Sequence, residues 1–282
     1  LEWPPGWRLR FLWPAAFNST LQRYSMLKKI CAAALCFGLA HAALADDLLD
    51  TIKSKGVVKI AMEGTYPPFN FKDAKTGALQ GFDVDISNAI AAKLGVKPEF
   101  VATEWATILA GLQVGKYDMV VSQVTMTEKR AMEFDFSVPY TVSFAQIILR
   151  KDDKAEYANL DALKGKKVGA GQGSIYAETL TKVGGIDVKT YTSAPLNLQD
   201  LANGRVDAAL NDRLLVPYMI KEAKLPLRPS TVLLDNPQKQ GIAFRKGSPK
   251  LKDALDKALG ELVKDGSYAK ISMKWFGVDA SK

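Results

Sequence analysis

The feature that most constrains this chain is an internal repeat. LAGLQVGKYDMVVSQ (109–123) can be laid over LQDLANGRVDAALND (198–212), with Leu109 on Leu198, Leu112 on Leu201, Gly115 on Gly204, Lys116 on Arg205 and Asp118 on Asp207. Each copy reads as a helix stopped by glycine and followed by a short strand. The flanking pattern extends this reading. GVVKIAME is a strand, 83–94 a helix carrying Val84, Ile86, Ile90 and Leu94 and stopped by Gly95, 98–102 a strand, 105–114 a helix and 117–121 a strand. In the second half GKKVGA is a strand, 175–182 a helix, 187–192 a strand, 195–203 a helix and 205–211 a strand. Such alternation predicts an α/β fold, each half a mainly parallel sheet flanked by helices. After the second copy come a strand in GIAFRKG (241–247), a helix over 249–265 with Leu251, Ala254, Leu255, Ala258 and Leu262 on one face, and a short helix ending in KWFG. This tail is expected to return to the first half. Lobe 1 is then 46–142 plus 241–282 and lobe 2 is 143–240, with two parallel crossings near 140–145 and 236–240 forming a hinge.

The first 45 residues follow another rule. Met26 opens MLKKICAAALCFGLAHAALADD, with Lys28 and Lys29 first, an apolar run from Ile30 to Leu39, and then Ala43-Leu44-Ala45. That order reads as a secretory signal peptide over 26–45, its apolar run too short to span a bilayer. Residues 1–25 lack an initiating Met and read as an upstream mis-start or cloning remnant. Cleavage near Ala45 predicts an exported, soluble periplasmic product. It would also remove Cys31, Cys36 and His41, which are both cysteines and the one histidine of the chain. The remainder can then form no disulfide, no Ser-His-Asp or Cys-His nucleophile and no ordinary zinc site. Neither catalysis nor a cofactor or metal is expected. Beyond the leader 33 Lys and Arg stand against 29 Asp and Glu, a net +4, and the bases are scattered among acids. That pattern describes a solvated mixed surface and predicts no nucleic-acid partner.

In open α/β sheets ligands gather outside the carboxyl ends of strands. Here the repeated strands end in Ser122-Gln123 and Asn211-Asp212, and the first strands of each half run out to Glu63-Gly64-Thr65 and Gln172-Gly173-Ser174. Four polar strand ends would then face one cleft. Arg130 presents two parallel donors that match a carboxylate. With Thr127 as N-cap, it would sit in a first helical turn, where the dipole disfavours a cation; an ordinary surface arginine is the alternative. Asp212 is a candidate partner for an ammonium, or an N-cap for the helix that follows. Together the two suit a free amino acid. Ser122, Thr125 and Ser174 could add donors, or simply satisfy turns. Tyr66 and Trp105 could supply aromatic walls, or serve as a turn residue and a core anchor. Glu63 is costly in a cleft unless paired, so it points to a second positive group on the ligand, or else to a solvated turn.

EGTYPPFNF, GFDVDI, SQVTMTEKR, DFSVPY, GQGS, GRVDAALNDR and KWFG follow one another in this chain. In that order they resemble the family 3 periplasmic solute-binding proteins of polar amino-acid ABC transporters, over nearly all of the chain past the leader. The resemblance implies a type II two-lobed fold that closes on a free amino acid. It further implies a monomer that delivers its ligand to an inner-membrane permease and its ATPase. By the same resemblance Arg130 grips the α-carboxylate, Asp212 grips the α-ammonium, and Glu63, Tyr66, Trp105, Ser122, Thr125 and Ser174 line the pocket. EGTYPPF with QVT and DRL is most similar to the cystine-binding branch. There Glu63 would neutralise the second ammonium, and Gln123 or Tyr176 would meet the second carboxylate. Ser122, where that branch tends to carry Asn, and Ile175, where a polar residue is common, depart from it. Lysine or arginine would also suit Glu63 between Tyr66 and Trp105. Similar folds include dehydratases of prephenate type, in which Glu63 would be the acid–base group; Asp212 argues against that reading.

Overall fold

The computed structural model describes residues 47–234 and 236–281, within a compact unit running from Asp46 to Lys282. The expected signal peptide and the segment before it lie outside the described residues. Helix α1 (Leu48–Lys55) leads into β1 (Val57–Met62), and three short strands follow, β2 (Thr65–Tyr66), β3 (Asn70–Lys72) and β4 (Leu79–Gln80). Then come α2 (Phe82–Leu94), β5 (Lys97–Ala102), α3 (Trp105–Gln113), β6 (Met119–Val120), α4 (Glu128–Glu133) and β7 (Phe134–Phe136). Strand β8 (Thr141–Ser143) crosses to the second half, built from β9 (Ala145–Arg150), β10 (Lys167–Gly171), α5 (Ile175–Val183), β11 (Asp187–Tyr191), α6 (Ala194–Ala202), β12 (Ala208–Asp212), α7 (Leu215–Glu222) and β13 (Leu227–Leu233). Strand β14 (Gln238–Gln240) carries the chain back to β15 (Ala243–Arg245), α8 (Pro249–Lys264) and α9 (Ser267–Phe276).

Two five-stranded sheets result, ordered β5-β1-β6-β15-β7 and β11-β10-β12-β9-β13. The βαβ portions are parallel, as the alternation predicts: β1 pairs parallel with β5 and β6, and β10 with β11 and β12. The remaining pairings, of β15 with β6 and β7 and of β9 with β12 and β13, are antiparallel. Strands β9 and β15 each follow a crossing from the other sheet, and so enter against the parallel set. The crossings also depart from expectation. Strands β8 and β14 pair antiparallel, with Val142 opposite Lys239, rather than parallel. One takes the chain out and the other returns it.

The repeated residues play the same part in both sheets. Asp118 accepts from Lys59 N through Oδ2 at 2.8 Å and donates its own N–H to Lys59 O at 2.9 Å; Asp207 makes the same pair with Lys167 at 2.8 and 2.8 Å. Each aspartate thereby fastens a central strand to the first parallel strand of its sheet. Gly115 and Gly204 both turn the chain at φ 74°, in the left-handed region that glycine tolerates.

The tail packs on the first half. Helix α8 buries Leu251, Leu255, Ala258, Leu259 and Leu262 in a core shared with Ile52, Ile86 and Ile90. Tyr268 donates its hydroxyl to Tyr140 O at 2.6 Å, Trp275 Nε1 donates to Asp85 Oδ2 at 2.7 Å, and the Phe276 ring lies 4.8 Å from Phe82. Among the described residues no helix is long and apolar enough to cross a membrane.

Entry into α2 depends on one glycine. Gly81 sits at φ 130°, and a Cβ built there would lie 2.3 Å from Phe69 O. That closeness is what lets Asp83 N–H reach Phe69 O at 2.7 Å. Because the obstruction is backbone, Gly81→Ala is predicted to cost more than about 3 kcal/mol in urea unfolding of the ligand-free protein. A loss below about 1 kcal/mol would show that the turn yields.

Candidate functional site

Between the carboxyl ends of the two sheets lies a cleft of about 610 Å³, its mouth included. Every residue singled out from the sequence lines it: Glu63, Tyr66, Trp105, Ser122, Gln123, Thr125 and Arg130 from the first half, and Ser174, Ile175, Tyr176 and Asp212 from the second. Arg130 lies in the first turn of α4, capped by Thr127, whose hydroxyl accepts from Arg130 N at 3.2 Å. What offsets the unfavourable dipole is local. The guanidinium donates through Nη1 to Thr125 O at 3.0 Å and stacks over the Trp105 ring, 5.4 Å from its centroid. Trp105 serves two purposes, since it also packs against the core around Ile108 and Leu112.

Asp212 ends β12 fully buried. Its Oδ1 accepts from Ser143 Oγ at 2.7 Å and from Leu214 N at 2.8 Å. The N-cap of α7 is Leu214, so Asp212 is not the N-cap, although it does satisfy one backbone donor ahead of that helix. Tyr66 stacks on Phe69 at 4.9 Å and donates its hydroxyl to Asn211 Oδ1 at 2.7 Å, joining the two halves across the cleft. Ser174 caps α5 by accepting from Ala177 N at 3.2 Å, so it serves its turn while facing the cleft. Ser122 Oγ accepts from Glu63 N at 3.1 Å and from Asn70 Nδ2 at 3.3 Å. Its O–H remains to donate.

Gln123 is placed differently from expectation. Its amide nitrogen donates to Asp83 Oδ1 at 2.7 Å and lies 3.3 Å from both Tyr140 Oη and Thr141 Oγ1. Those contacts occupy the donors that a second ligand carboxylate would need. Asn211 and Gln172, placed by the sequence at polar strand ends but not singled out as site residues, also line the cleft, and the sequence reading missed Thr192, Ser193, Ala194 and Gln240. The repeat held a signal for some of them. At the repeat's own offset, Ala194 falls on Trp105 and Asn211 falls on Ser122, and all four line the cleft.

Burial sets the electrostatics. It pushes the Glu63 carboxyl up to about 7, against the hydrogen bond from Thr65, and the Asp212 carboxyl up to about 6, against the bonds from Ser143 and Leu214. It also lowers the Arg130 pKa, opposed by Glu178 and Tyr176, and holds the Tyr66 and Tyr176 phenols well above their usual range. A guanidinium stays charged regardless. The cleft therefore presents one fixed cation and two carboxyls whose charge burial disfavours. Among the described residues no group of His, Cys, Asp and Glu could hold a metal ion.

Comparison with known proteins agrees with this geometry. Residues 58–278 match the model of the bacterial extracellular solute-binding proteins, family 3. The chain is 39% identical to the L-cystine-binding protein TcyJ of Escherichia coli (strain K12), covering 91% of this chain and 96% of that one. It is 37% identical to the L-cystine-binding protein TcyA of Bacillus subtilis (strain 168), covering 84% and 87%. Among solved structures it is similar to an ancestral arginine-binding protein bound to arginine, with TM-score 0.73, 39% identity and coverage of 78% and 98%. It is also similar to the ancestral amino acid-binding protein AncCDT-1, a precursor of cyclohexadienyl dehydratase, with TM-score 0.75, 33% identity and coverage of 81% and 99%.

The raised carboxyls bear on stability. Glu63, Asp83 and Asp212 move from ordinary values of 4.5, 3.8 and 3.8 to about 7, 6 and 6 on folding, each chiefly through burial. Between those limits the folded chain holds more protons than the unfolded one, so their contribution is full below about pH 4 and is lost as pH rises. Glu156 and Asp265, held at about 2 by hydrogen bonds from Arg228 and Ser267, act at lower pH. The unfolding temperature of the ligand-free protein is predicted to fall from pH 4.5 to 7.5, and Asp212→Asn to make that fall shallower. An unchanged slope in the variant would remove Asp212 from this account.

Proposed function

The chain belongs to the bacterial extracellular solute-binding proteins, family 3, and from that premise we propose that it is the receptor of an amino-acid ABC importer, closing on free L-cystine. The observation that carries this reading is the placement of Arg130 and Asp212 on one cleft but in different halves, Arg130 on α4 and Asp212 at the end of β12. A carboxylate and an ammonium on one carbon would bridge them, so the ligand binds the closed arrangement better than an open one and draws the halves together. The two halves, 46–142 with 241–282 and 143–240, then act as lobes about the β8–β14 crossing. Cystine is favoured by the two cystine-binding relatives and by Glu63, whose carboxyl awaits a second cation. With Gln123 committed to Asp83, the second carboxylate is assigned to Thr192 and Ser193, which line the same cleft.

Arginine or lysine is the second reading, favoured by the arginine-bound neighbour and by the same Glu63. A dehydratase activity is disfavoured, because a buried Asp212 beside the cleft suits an ammonium that a prephenate-like acid lacks. We place the working protein in the periplasm as a monomer that hands its ligand to a membrane permease driven by an ATPase.

Calorimetry of the chain from Asp46 onward against twenty amino acids and L-cystine tests the reading. Tightest binding of L-cystine, at micromolar affinity or about −8 kcal/mol, is predicted; no binding across the panel would overturn the receptor itself. Arg130→Met and Asp212→Asn should each weaken binding by about 30-fold or more, with ligand-free unfolding temperatures within a few degrees of the parent. Glu63→Gln should cost L-cystine and L-arginine more than about tenfold while sparing L-glutamine. Equal losses for all three would show that Glu63 does not meet the ligand's side chain.

A further inference from the structure

The first crossing strand carries a polar side chain that the cleft does not itself display. Strand β12 ends on Asp212, in register with Ala145 at the start of β9, so the end of β8 passes beside that carboxylate. Ser143, the last residue of β8, is fully buried, and its hydroxyl donates to Asp212 Oδ1 at 2.7 Å. Leu214 N donates to the same oxygen at 2.8 Å, while Asn211 Oδ1 accepts from Asp212 N at 2.8 Å. The bonds from Ser143 and Leu214 fall on Oδ1, and the Tyr176 hydroxyl is a third hydrogen-bond partner of the carboxylate. Arg213, Tyr176 and Tyr66 are the other charged or titratable groups that bear on Asp212.

A buried strand position favours β-branched or apolar side chains, and pairing of Ser143 with Gln238 uses only backbone. The hydroxyl therefore has its use at Asp212. Two residues earlier on the same strand, Thr141 Oγ1 lies 3.3 Å from Gln123 Nε2, which itself holds Asp83. Strand β8 thus sends one hydroxyl toward the buried carboxylate system of each half.

We infer that Ser143 is a positioning residue for the ligand's ammonium, fixing Asp212 against the crossing strand so that engagement of Asp212 is felt where the halves are joined. This rests on the reading of Asp212 as the ammonium partner.

The test titrates the parent, Ser143→Ala, Ser143→Thr and Asp212→Asn with L-cystine and L-arginine between pH 5 and 8. Loss of a hydroxyl donor to a carboxylate should weaken binding by roughly tenfold at pH 7 in Ser143→Ala. The pH midpoint of binding should rise by about one unit, because a less supported carboxylate keeps its proton to higher pH. Ser143→Thr should restore both. If Asp212→Asn abolishes binding while Ser143→Ala leaves affinity and midpoint in place, the positioning role is overturned and the ammonium reading stands. If Asp212→Asn binds as tightly as the parent, the ammonium reading falls and the inference falls with it. A drop in unfolding temperature shared by the Ala and Thr variants, with no movement of the midpoint, would mark Ser143 as structural only and likewise overturn it.

Discussion

The cleft depends on a carboxylate that never faces it. Asp83, in the first turn of α2, is fully buried and is held by three neutral donors: Asn70 Nδ2 at 2.6 Å, Gln123 Nε2 at 2.7 Å and Tyr140 Oη at 3.0 Å. A buried carboxylate without such donors would cost several kcal/mol, so the three are bound to stay where Asp83 needs them. Each is also an anchor for something else. Asn70 Oδ1 accepts from Gly64 N at 2.8 Å, and its amide nitrogen reaches Ser122 Oγ, which in turn accepts from Glu63 N. Tyr140 Oη accepts from Gln123 N at 3.0 Å, and Tyr140 O receives the Tyr268 hydroxyl from the tail. One carboxylate thereby sets the ends of β1 and β6, the start of the first crossing and the seat of α9. Gln123 adopts φ 53°, a left-handed conformation uncommon for residues other than glycine, and the three acceptors around its amide and the phenol on its N–H hold it there.

The same accounting extends to the cleft itself. Glu63 and Asp212 share the desolvation of Asp83, Glu63 with only the Thr65 hydroxyl as its side-chain donor, and Arg130 loses solvation on the same half as Glu63. These costs are carried by the fold whether or not a ligand is present. Contacts between the halves, such as Tyr66 with Asn211 and the Phe71 ring 5.6 Å from Tyr218, hold the two in register. Within each half the polar side chains are already fixed before any ligand meets them, which is where preorganised sites gain affinity.

Much of this was legible because the chain repeats. Asp118 and Asp207, Gly115 and Gly204 match in sequence and perform matching tasks in the two sheets. Asp212, Ser122 and Ser174 were visible as polar residues at strand ends, Arg130 as a guanidinium in a helical turn behind the Thr127 cap, and Trp105 as a helix start. What stayed hidden had no period to carry it. Strands β2, β3 and β4 are two or three residues long, too short for alternation to register, and so they read as turns. Gln123 stands at a strand end like Asp212, its counterpart in the repeat, yet a left-handed backbone carries its side chain to Asp83. Gln240 lines the cleft from the returning crossing, and only the pairing of β14 with β8 and the bridge to Thr125 bring it there. Antiparallel entry of β9 and β15 follows from crossing between sheets, a property of the topology that no local window contains.

Selectivity in such a site separates into two parts of different kind. On the proposed reading Arg130 and Asp212 address groups common to all α-amino acids, so they would supply affinity without discrimination. Glu63 is the variable element, because a carboxyl near pH 7 changes state with its occupant. Beside a neutral side chain it takes a proton and becomes a modest hydrogen-bonding group at small cost. Beside an ammonium or guanidinium it ionises and gains a charge-assisted bond. On the same reading the cleft would tolerate neutral ligands while rewarding a second cation, and Glu63 alone would not divide cystine from arginine. That division falls to the far wall, where a second carboxylate requires donors and a guanidinium requires acceptors. Thr192 and Ser193, at the N-terminal end of α6, present hydroxyls and helix-end amides rather than carboxylates, and N–H groups at a helix start favour an anion over a cation. The balance of that wall is what the proposal of a ligand with two zwitterionic ends draws on.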